Sequence, residues 1–86
     1  MFKKYVSRPV IKEAVQLTHE NLEEVAEAIR AAGWEGCFAP PDRIHIPSWE
    51  GMITAFPGDW IIKGNRNEFY RCKADIFAET YDGESA

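Results

Sequence analysis

PGDWIIKGNRNEFYRCKADIF, residues 57–77, is the stretch in which short apolar runs and turn signals alternate most regularly. Its opening Pro-Gly pair fits the two central positions of a type II turn, where glycine takes the positive φ at little cost. WIIK predicts a short buried strand, GNRN a second turn, and EFYRC the strand that follows. Asp75 is the expected cap of one or two helical turns, IFAETY, in which Phe77 and Tyr81 share a face. This stretch therefore predicts a meander of strands that ends in a short helix.

Upstream of the meander, RIHIPSWEGMITAF predicts a β-hairpin over residues 43–56. Isoleucines alternate with polar neighbours in its first arm, and Glu50-Gly51 supplies the predicted turn. Pro47 in the same arm is typical of an edge strand or a bulge. The hairpin therefore carries Trp49 at its tip.

The segment VIKEAVQL, residues 10–17, alternates as a strand does, and Pro9 before it suits the start of an edge strand. Glu13 lies on the same predicted face as Val15 and Leu17. Two interpretations of Glu13 are open. It lies near a strand end or pairs with a cation, or it is a functional carboxylate held in an apolar wall.

A helix is predicted over LTHENLEEVAEAIRAAG, residues 17–33. Its apolar stripe consists of Leu22, Val25, Ala26 and Ile29. Thr18 is the expected N-cap, Asn21 is a competing cap, and Gly33 ends the helix. The first half, where the helix dipole favours anions, carries Glu20, Glu23, Glu24 and Glu27. These glutamates are either a solvated face or an acidic strip offered to a basic partner.

Together these elements predict one α+β domain over residues 1–86. One amphipathic helix packs on an antiparallel sheet of four to five short strands, and a short helix lies at the C-terminus. The predicted core consists of Val15, Leu22, Val25, Ile29, Ile44, Ile46, Trp60, Ile62, Phe69 and Phe77.

The composition is that of an ordinary globular domain, with 45% hydrophobic and 28% charged residues and a net charge of −4. A negative chain argues against nucleic acid as a partner, because phosphate binding relies on clustered Lys and Arg. No apolar run approaches the roughly 20 residues that span a bilayer. The N-terminus lacks the apolar region of a secretory signal. We therefore expect a cytoplasmic protein with no membrane partner.

Residues that carry chemistry are few and poorly spaced. No phosphate-binding glycine loop and no nucleophile elbow is present. A small enzyme or a metal-binding protein would use Glu13, His45 and the two cysteines, Cys37 and Cys72. Their spacing matches no paired ligand motif, and two lone cysteines in a cytosolic chain are typically reduced thiols. The sequence therefore predicts no catalytic residue, no metal site and no cofactor.

Three aromatic residues in the loop and at the hairpin tip are not needed to complete the helix stripe or the central strands. Trp34 and Phe38 lie in the loop WEGCFAPPDR, where glycine and proline exclude regular structure, and Trp49 lies at the hairpin tip. Protein interfaces favour such rings at a desolvated centre. We predict that these three rings form the most exposed aromatic surface, a partner-binding site with His45 at its edge. The alternative is that they seal an open end of the sheet.

The C-terminal half of the chain resembles a family of small phage and prophage proteins. Their pattern is close to PGDWIIKG, then GEFYPCKPDIF, then a Thr-Tyr pair, and the N-terminal RPVIKEAVQLTHENLEEV is similar to the family's usual opening. This chain departs from the pattern at Asn67, where glycine is usual, and at Arg71 and Ala74, where prolines are usual. The family has no established activity, so the resemblance implies a setting in a bacterial host cell and no mechanism.

These observations favour a non-catalytic protein-binding module that acts on a host or phage protein in the bacterial cytoplasm. One alternative is a small enzyme or metal-binding protein that uses Glu13, His45 and the cysteines. The other is an acidic decoy that mimics nucleic acid through the first half of the predicted helix.

Overall fold

A computed structural model describes residues 1–7 and 10–80, and for residues 5–7, 10–12 and 80 it describes the backbone alone. The strands of this part of the chain are β1 (Lys3–Ser7), β2 (Val10–Gln16), β3 (Ile44–Ser48), β4 (Gly51–Ala55), β5 (Trp60–Lys63) and β6 (Phe69–Cys72). The helices are α1 (Leu22–Ala31) and α2 (Ala74–Thr80). Neither of these helices is long and apolar enough to cross a membrane.

The strands form two sheets. Four of them make an antiparallel sheet in the order β1-β2-β5-β6, and β3 and β4 pair separately as the predicted hairpin. The α+β class is therefore confirmed, with one strand more than expected and the hairpin outside the main sheet. The additional strand is β1, whose KKYVS sequence has no long alternation to reveal it. Because β1 pairs with β2, β2 is an interior strand rather than an edge, and Pro9 lies outside the described residues.

Both faces of the main sheet are covered. On one face, Val15 and Ile61 are buried in a cluster with the apolar stripe of α1 and the inner residues of the hairpin. On the other face, Ala14 and Ile62 are buried against Phe77 of α2. The chain is therefore built in three layers: α1 with the hairpin, then the sheet, then α2. Neighbouring residues of a strand point to opposite faces of the sheet, and here both faces are covered. This explains why β5 begins with three consecutive apolar residues, Trp60, Ile61 and Ile62.

The predicted core is buried in the structure with one exception, Trp60. Trp60 is only half-buried, and its ring stacks on Phe77 with centroids 3.8 Å apart and planes 1° apart. Ile61, which the prediction left out of the core, has no exposed surface. The reason is that both faces of the sheet are covered at β5, by α1 and the hairpin on the Ile61 side and by α2 on the Ile62 side.

The predicted type II turn between β4 and β5 is confirmed. Gly58 has a φ of 99°, and the amide of Asp59 donates to the carbonyl of Phe56 at 3.0 Å. The hairpin turn differs by one residue from the prediction, because Ser48 lies opposite Gly51 and the two turn residues are Trp49 and Glu50.

The capping predictions are partly wrong. Thr18 does not cap α1, which begins at Leu22 with Asn21 at the N-cap position. The side chain of Asn21 instead accepts from the Thr18 amide at 2.8 Å and donates to the Gln16 carbonyl at 2.9 Å, which fastens the connection from β2 to α1. Gly33, with a φ of 112°, follows the end of α1 as predicted.

At the C-terminus, α2 begins at Ala74, so Asp75 lies inside the first turn rather than before it. The carboxylate of Asp75 accepts from the amide of the next residue, Ile76, at 2.9 Å. Phe77 is buried as expected, and its predicted neighbour Tyr81 lies outside the described residues.

Candidate functional site

Trp49 is the most exposed of the large apolar side chains that the structure describes. It occupies the turn of the hairpin, and 75% of its surface is accessible to solvent. Its ring meets that of Trp34 edge to face, with centroids 5.0 Å apart and an angle of 74° between the planes. This is a preferred geometry for an aromatic pair. Trp34 therefore supports the Trp49 ring on one side while the rest of the indole stays accessible.

Trp34 itself packs against the core of the domain, and the prediction that it is exposed is wrong. It is half-buried against the core beside α1, and its indole N–H donates to the carbonyl of Asn67 at 2.7 Å. The side-chain amide of Asn67 donates in turn to the carbonyl of Ala32 at 2.6 Å. Asn67 has a φ of 62°, a left-handed conformation that asparagine tolerates better than most residues. These bonds fasten the β5–β6 turn to the end of α1.

Two open clefts adjoin Trp49. The first, which we call the acidic cleft, has a volume of about 330 Å³ and separates the hairpin tip from β6. Its walls include Trp49, Glu50, Ile53, Glu68, Phe69 and Tyr70. The second, which we call the Arg66 cleft, has a volume of about 310 Å³. It runs between Trp49 and the α1 end, along Trp34, Arg66 and Asn67. Trp49 is thus shared by both clefts.

Phe38 and His45 form a second pair, away from the tip. Their backbones exchange two hydrogen bonds, of 3.1 and 2.8 Å, and their rings lie 4.8 Å apart. Phe38 is about half exposed, as predicted. Trp49 lies four positions after His45, roughly 13 Å along an extended strand. The four residues of the predicted site therefore form two pairs rather than one surface.

The ring nitrogens of His45 are both engaged. The Nε–H group of Arg43 can only donate, so Nε2 of His45 accepts from it at 3.1 Å. In this arrangement Nδ1 carries the hydrogen and donates to Oγ1 of Thr54 at 3.0 Å. The imidazole is therefore held in the hairpin by its neighbours.

Sequence reasoning missed two apolar residues on the hairpin, Met52 and Phe56. Both are about half exposed. Met52 lies opposite Pro47, on the outward face that also carries His45 and Thr54. Burial along β4 does not alternate residue by residue, so no pattern within GMITA marked Met52 as an outward residue.

The residues of the enzyme or metal-site alternative are not brought together. The Cys37 side chain is buried on the α1 side of the sheet, and Cys72 packs on the α2 side. His45 is on the outward face of the hairpin. Glu13 lies opposite Lys4 on one neighbouring strand and Lys63 on the other, as a cross-strand charge row. Among the described residues, no three His, Cys, Asp or Glu side chains are grouped as metal ligands would be.

The two thiols are free and held in their neutral form. Burial raises the pKa of Cys37 to about 11, against a smaller opposing effect of Arg30. Burial also raises the pKa of Cys72, and the nearby carboxylates of Asp75 and Asp59 act in the same direction. A thiolate is the reactive form of cysteine, so both residues are poor nucleophiles near neutral pH.

We expect a thiol-specific disulfide reagent at pH 8 to modify Cys72 at least tenfold faster than Cys37. Cys37 is fully buried, whereas Cys72 is only half-buried. The reagent therefore reaches Cys37 only after local or global unfolding of the domain. The variants Cys37→Ser and Cys72→Ser isolate each thiol, and both thiols should react equally fast in denaturant. A native Cys37 that reacts as fast as the denatured chain would contradict this placement.

The acidic strip of the decoy alternative is on the surface of α1. Glu23, Glu24 and Glu27 are all exposed. One of these charges is compensated, because Glu23 forms an ion pair with Arg30 at 2.6 Å. The guanidinium of Arg30 also donates to the Cys37 carbonyl at 2.8 Å, so this arginine connects α1 to the loop that follows it.

The hairpin tip thus combines an exposed tryptophan, a ring that supports it and two adjoining clefts. Its exposed tryptophan, the supporting Trp34 and the two clefts are arranged by three separate segments. In comparisons with known proteins, no protein-family model, no curated protein and no solved structure shows significant similarity to this chain.

Proposed function

We propose that this protein is a non-catalytic protein-binding module whose contact surface is centred on Trp49. The observation that carries the proposal is the position of this ring: 75% exposed, braced edge-on by Trp34, and flanked by two clefts. Tryptophan is among the residues most enriched at the energetic centres of protein interfaces. An exposed ring of this kind contributes little to the stability of its own chain, which favours a role in contact with another molecule.

The bracing of Trp49 supports binding for a second reason. A side chain that is ordered before association loses less conformational freedom when the partner arrives. Trp34 is fixed by its hydrogen bond to Asn67, so the ring beneath Trp49 is not free to reorient. Met52 on the outward face of the hairpin, and Phe38 in the loop that bridges to His45, would extend the contact area beyond the tip.

The resemblance to small phage and prophage proteins supports a setting for this activity. In that setting the partner is a host or phage protein, and the module acts in the cytoplasm of the bacterial cell.

Replacing Trp49 with Ala is expected to weaken capture of the partner by about 30-fold or more, since central tryptophans commonly contribute at least 2 kcal/mol. The melting temperature should change little, because the ring is mostly exposed. The measurement is quantitative pull-down from a bacterial lysate, followed by titration of the purified partner and by thermal unfolding of the variant.

The control is Ile76→Ala, which removes a half-exposed apolar side chain from α2, on the opposite side of the sheet. This variant should capture the partner as the unmodified protein does. If Trp49→Ala retained full capture, or if it lost capture and stability together, Trp49 would not be the centre of a contact surface.

A further inference from the structure

The acidic cleft combines an exposed indole ring with negative charge. Trp49 contributes that ring, and Ile53 adds apolar surface. Phe69 is buried beneath the cleft, and Tyr70, which also borders it, packs on the α2 side of the sheet. The only ionisable carboxylates in the lining are those of Glu50 and Glu68. No lysine, arginine or histidine of the described chain lines this cleft. The charge of its walls is therefore of one sign.

Neither carboxylate forms an ion pair with another side chain of the described residues. Oε1 of Glu68 accepts a hydrogen bond from the backbone amide of Arg66 at 3.0 Å, which orients the carboxylate. The Arg66 side chain lines the other cleft, and the ion pairs found among the described residues include neither Glu50 nor Glu68. A cation that enters the acidic cleft thus meets two carboxylates that no lysine or arginine of the described part of the chain pairs with.

Aromatic faces next to carboxylates are the chemistry that recognises a cation. The negative face of an indole or phenol ring attracts a cation, and tryptophan does so best. Carboxylates add charge-assisted hydrogen bonds, which are strongest with the planar guanidinium of arginine. A volume of about 330 Å³ is at the small end of ligand sites and suits one side chain better than a large ligand.

From this cleft we propose the partner chemistry of the binding module: the acidic cleft receives an arginine side chain of the partner, stacked on Trp49 and paired with Glu50 and Glu68. This inference rests on the proposed function and adds the recognised group to it. Arginine is favoured over lysine because its flat guanidinium can stack on a ring and bond to a carboxylate at the same time.

The probe is N-acetyl-arginine methylamide, with N-acetyl-citrulline methylamide as its neutral counterpart of nearly equal shape. Each is titrated into the ¹⁵N-labelled protein, and chemical shifts are followed at the Trp49 indole N–H and at the amides of Glu50 and Glu68. We expect the arginine compound to shift these signals with a millimolar dissociation constant. The citrulline compound should bind at least fivefold more weakly. Added salt should weaken the arginine complex, because the cleft is open to solvent.

Variants that remove one carboxylate at a time test whether the arginine compound binds at Glu50 and Glu68. Glu50→Gln and Glu68→Gln should each weaken binding of the arginine compound about two- to fivefold, as expected for exposed ion pairs. Glutamine at position 68 keeps the acceptor for the Arg66 amide, so the turn is preserved. The matched control is Glu79→Gln on α2, which makes the same charge change on the other side of the sheet and should leave binding unchanged.

Equal shifts with the citrulline compound, or an equal effect of Glu79→Gln, would overturn the arginine assignment. Tighter binding of tetramethylammonium than of the arginine compound would overturn it as well, since that ion cannot donate hydrogen bonds. These outcomes leave the binding role of Trp49 intact if Trp49→Ala still loses the partner. Conversely, if Trp49→Ala captured the partner as well as the unmodified protein does, the proposed function would be wrong. The proposal that the acidic cleft receives an arginine of the partner would then fail with it.

Discussion

Replacing Ile61 with Ala is expected to lower the free energy of unfolding by about 2–5 kcal/mol. Ile61 has no exposed surface and lies in β5, with β2 and β6 on either side. Truncation removes its contacts with the core and leaves a cavity that the surrounding strands cannot close. A domain of this size is stable by only about 5–15 kcal/mol, and each kcal/mol lowers the melting temperature by about 4–8 °C. Urea denaturation and thermal unfolding measure both quantities.

The matched control is again Ile76→Ala, which removes the same atoms from a half-exposed side chain. Its cost should stay below about 1 kcal/mol. If Ile61→Ala does not fold, Ile61→Val is expected to lose about 0.5–1.5 kcal/mol. Equal losses at the two isoleucine positions would contradict the placement of Ile61 at the centre of the core.

Replacing Phe77 with Ala is expected to cost about 3 kcal/mol, the lower end of the range for buried phenylalanines. Phe77 is nearly fully buried, and it is the buried residue of α2 that packs on the sheet. It also stacks on Trp60, so its loss exposes that ring and should change the tryptophan fluorescence. The α2 amides should lose protection from hydrogen exchange before those of β5 do, because the helix is short and held from one side.

A second variant separates burial from stacking. Phe77→Leu keeps most of the apolar volume and removes the ring, so we expect a loss of about 1 kcal/mol, the size of an aromatic pair contribution. A Phe77→Ala protein with unchanged stability and unchanged α2 protection would show that α2 is held by other contacts.

Local features of this protein were predictable because they depend on residues adjacent in the chain. The turn at Gly58 requires a positive φ, which Pro-Gly specifies without any distant contact. The apolar stripe of α1 recurs at helical spacing, and the first arm of the hairpin alternates. For the same reason, Trp49 was correctly placed at an exposed tip.

Other features could not be predicted from such local patterns, because they depend on contacts between segments that are distant in the chain. The pairing of β1 with β2 depends on a partner strand, since KKYVS alone has too weak an alternation. The burial of Ile61 depends on cover from both sides of the sheet. Likewise, Cys37 and Cys72 lie in separate clusters because the sheet passes between them, which no spacing along the chain reveals.

The tripeptide Trp-Glu-Gly shows the division most clearly, because it occurs twice, at residues 34–36 and 49–51. The sequence determined that each copy would lie in a turn or loop. Only the tertiary structure decided that Trp34 would be half-buried and Trp49 exposed. Trp34 meets the carbonyl of Asn67, 33 residues away, and packs on the core beside α1. Trp49 forms an edge-to-face pair with Trp34 and borders the two open clefts. Burial is set by the distant segments that approach a side chain and not by its neighbours in the chain.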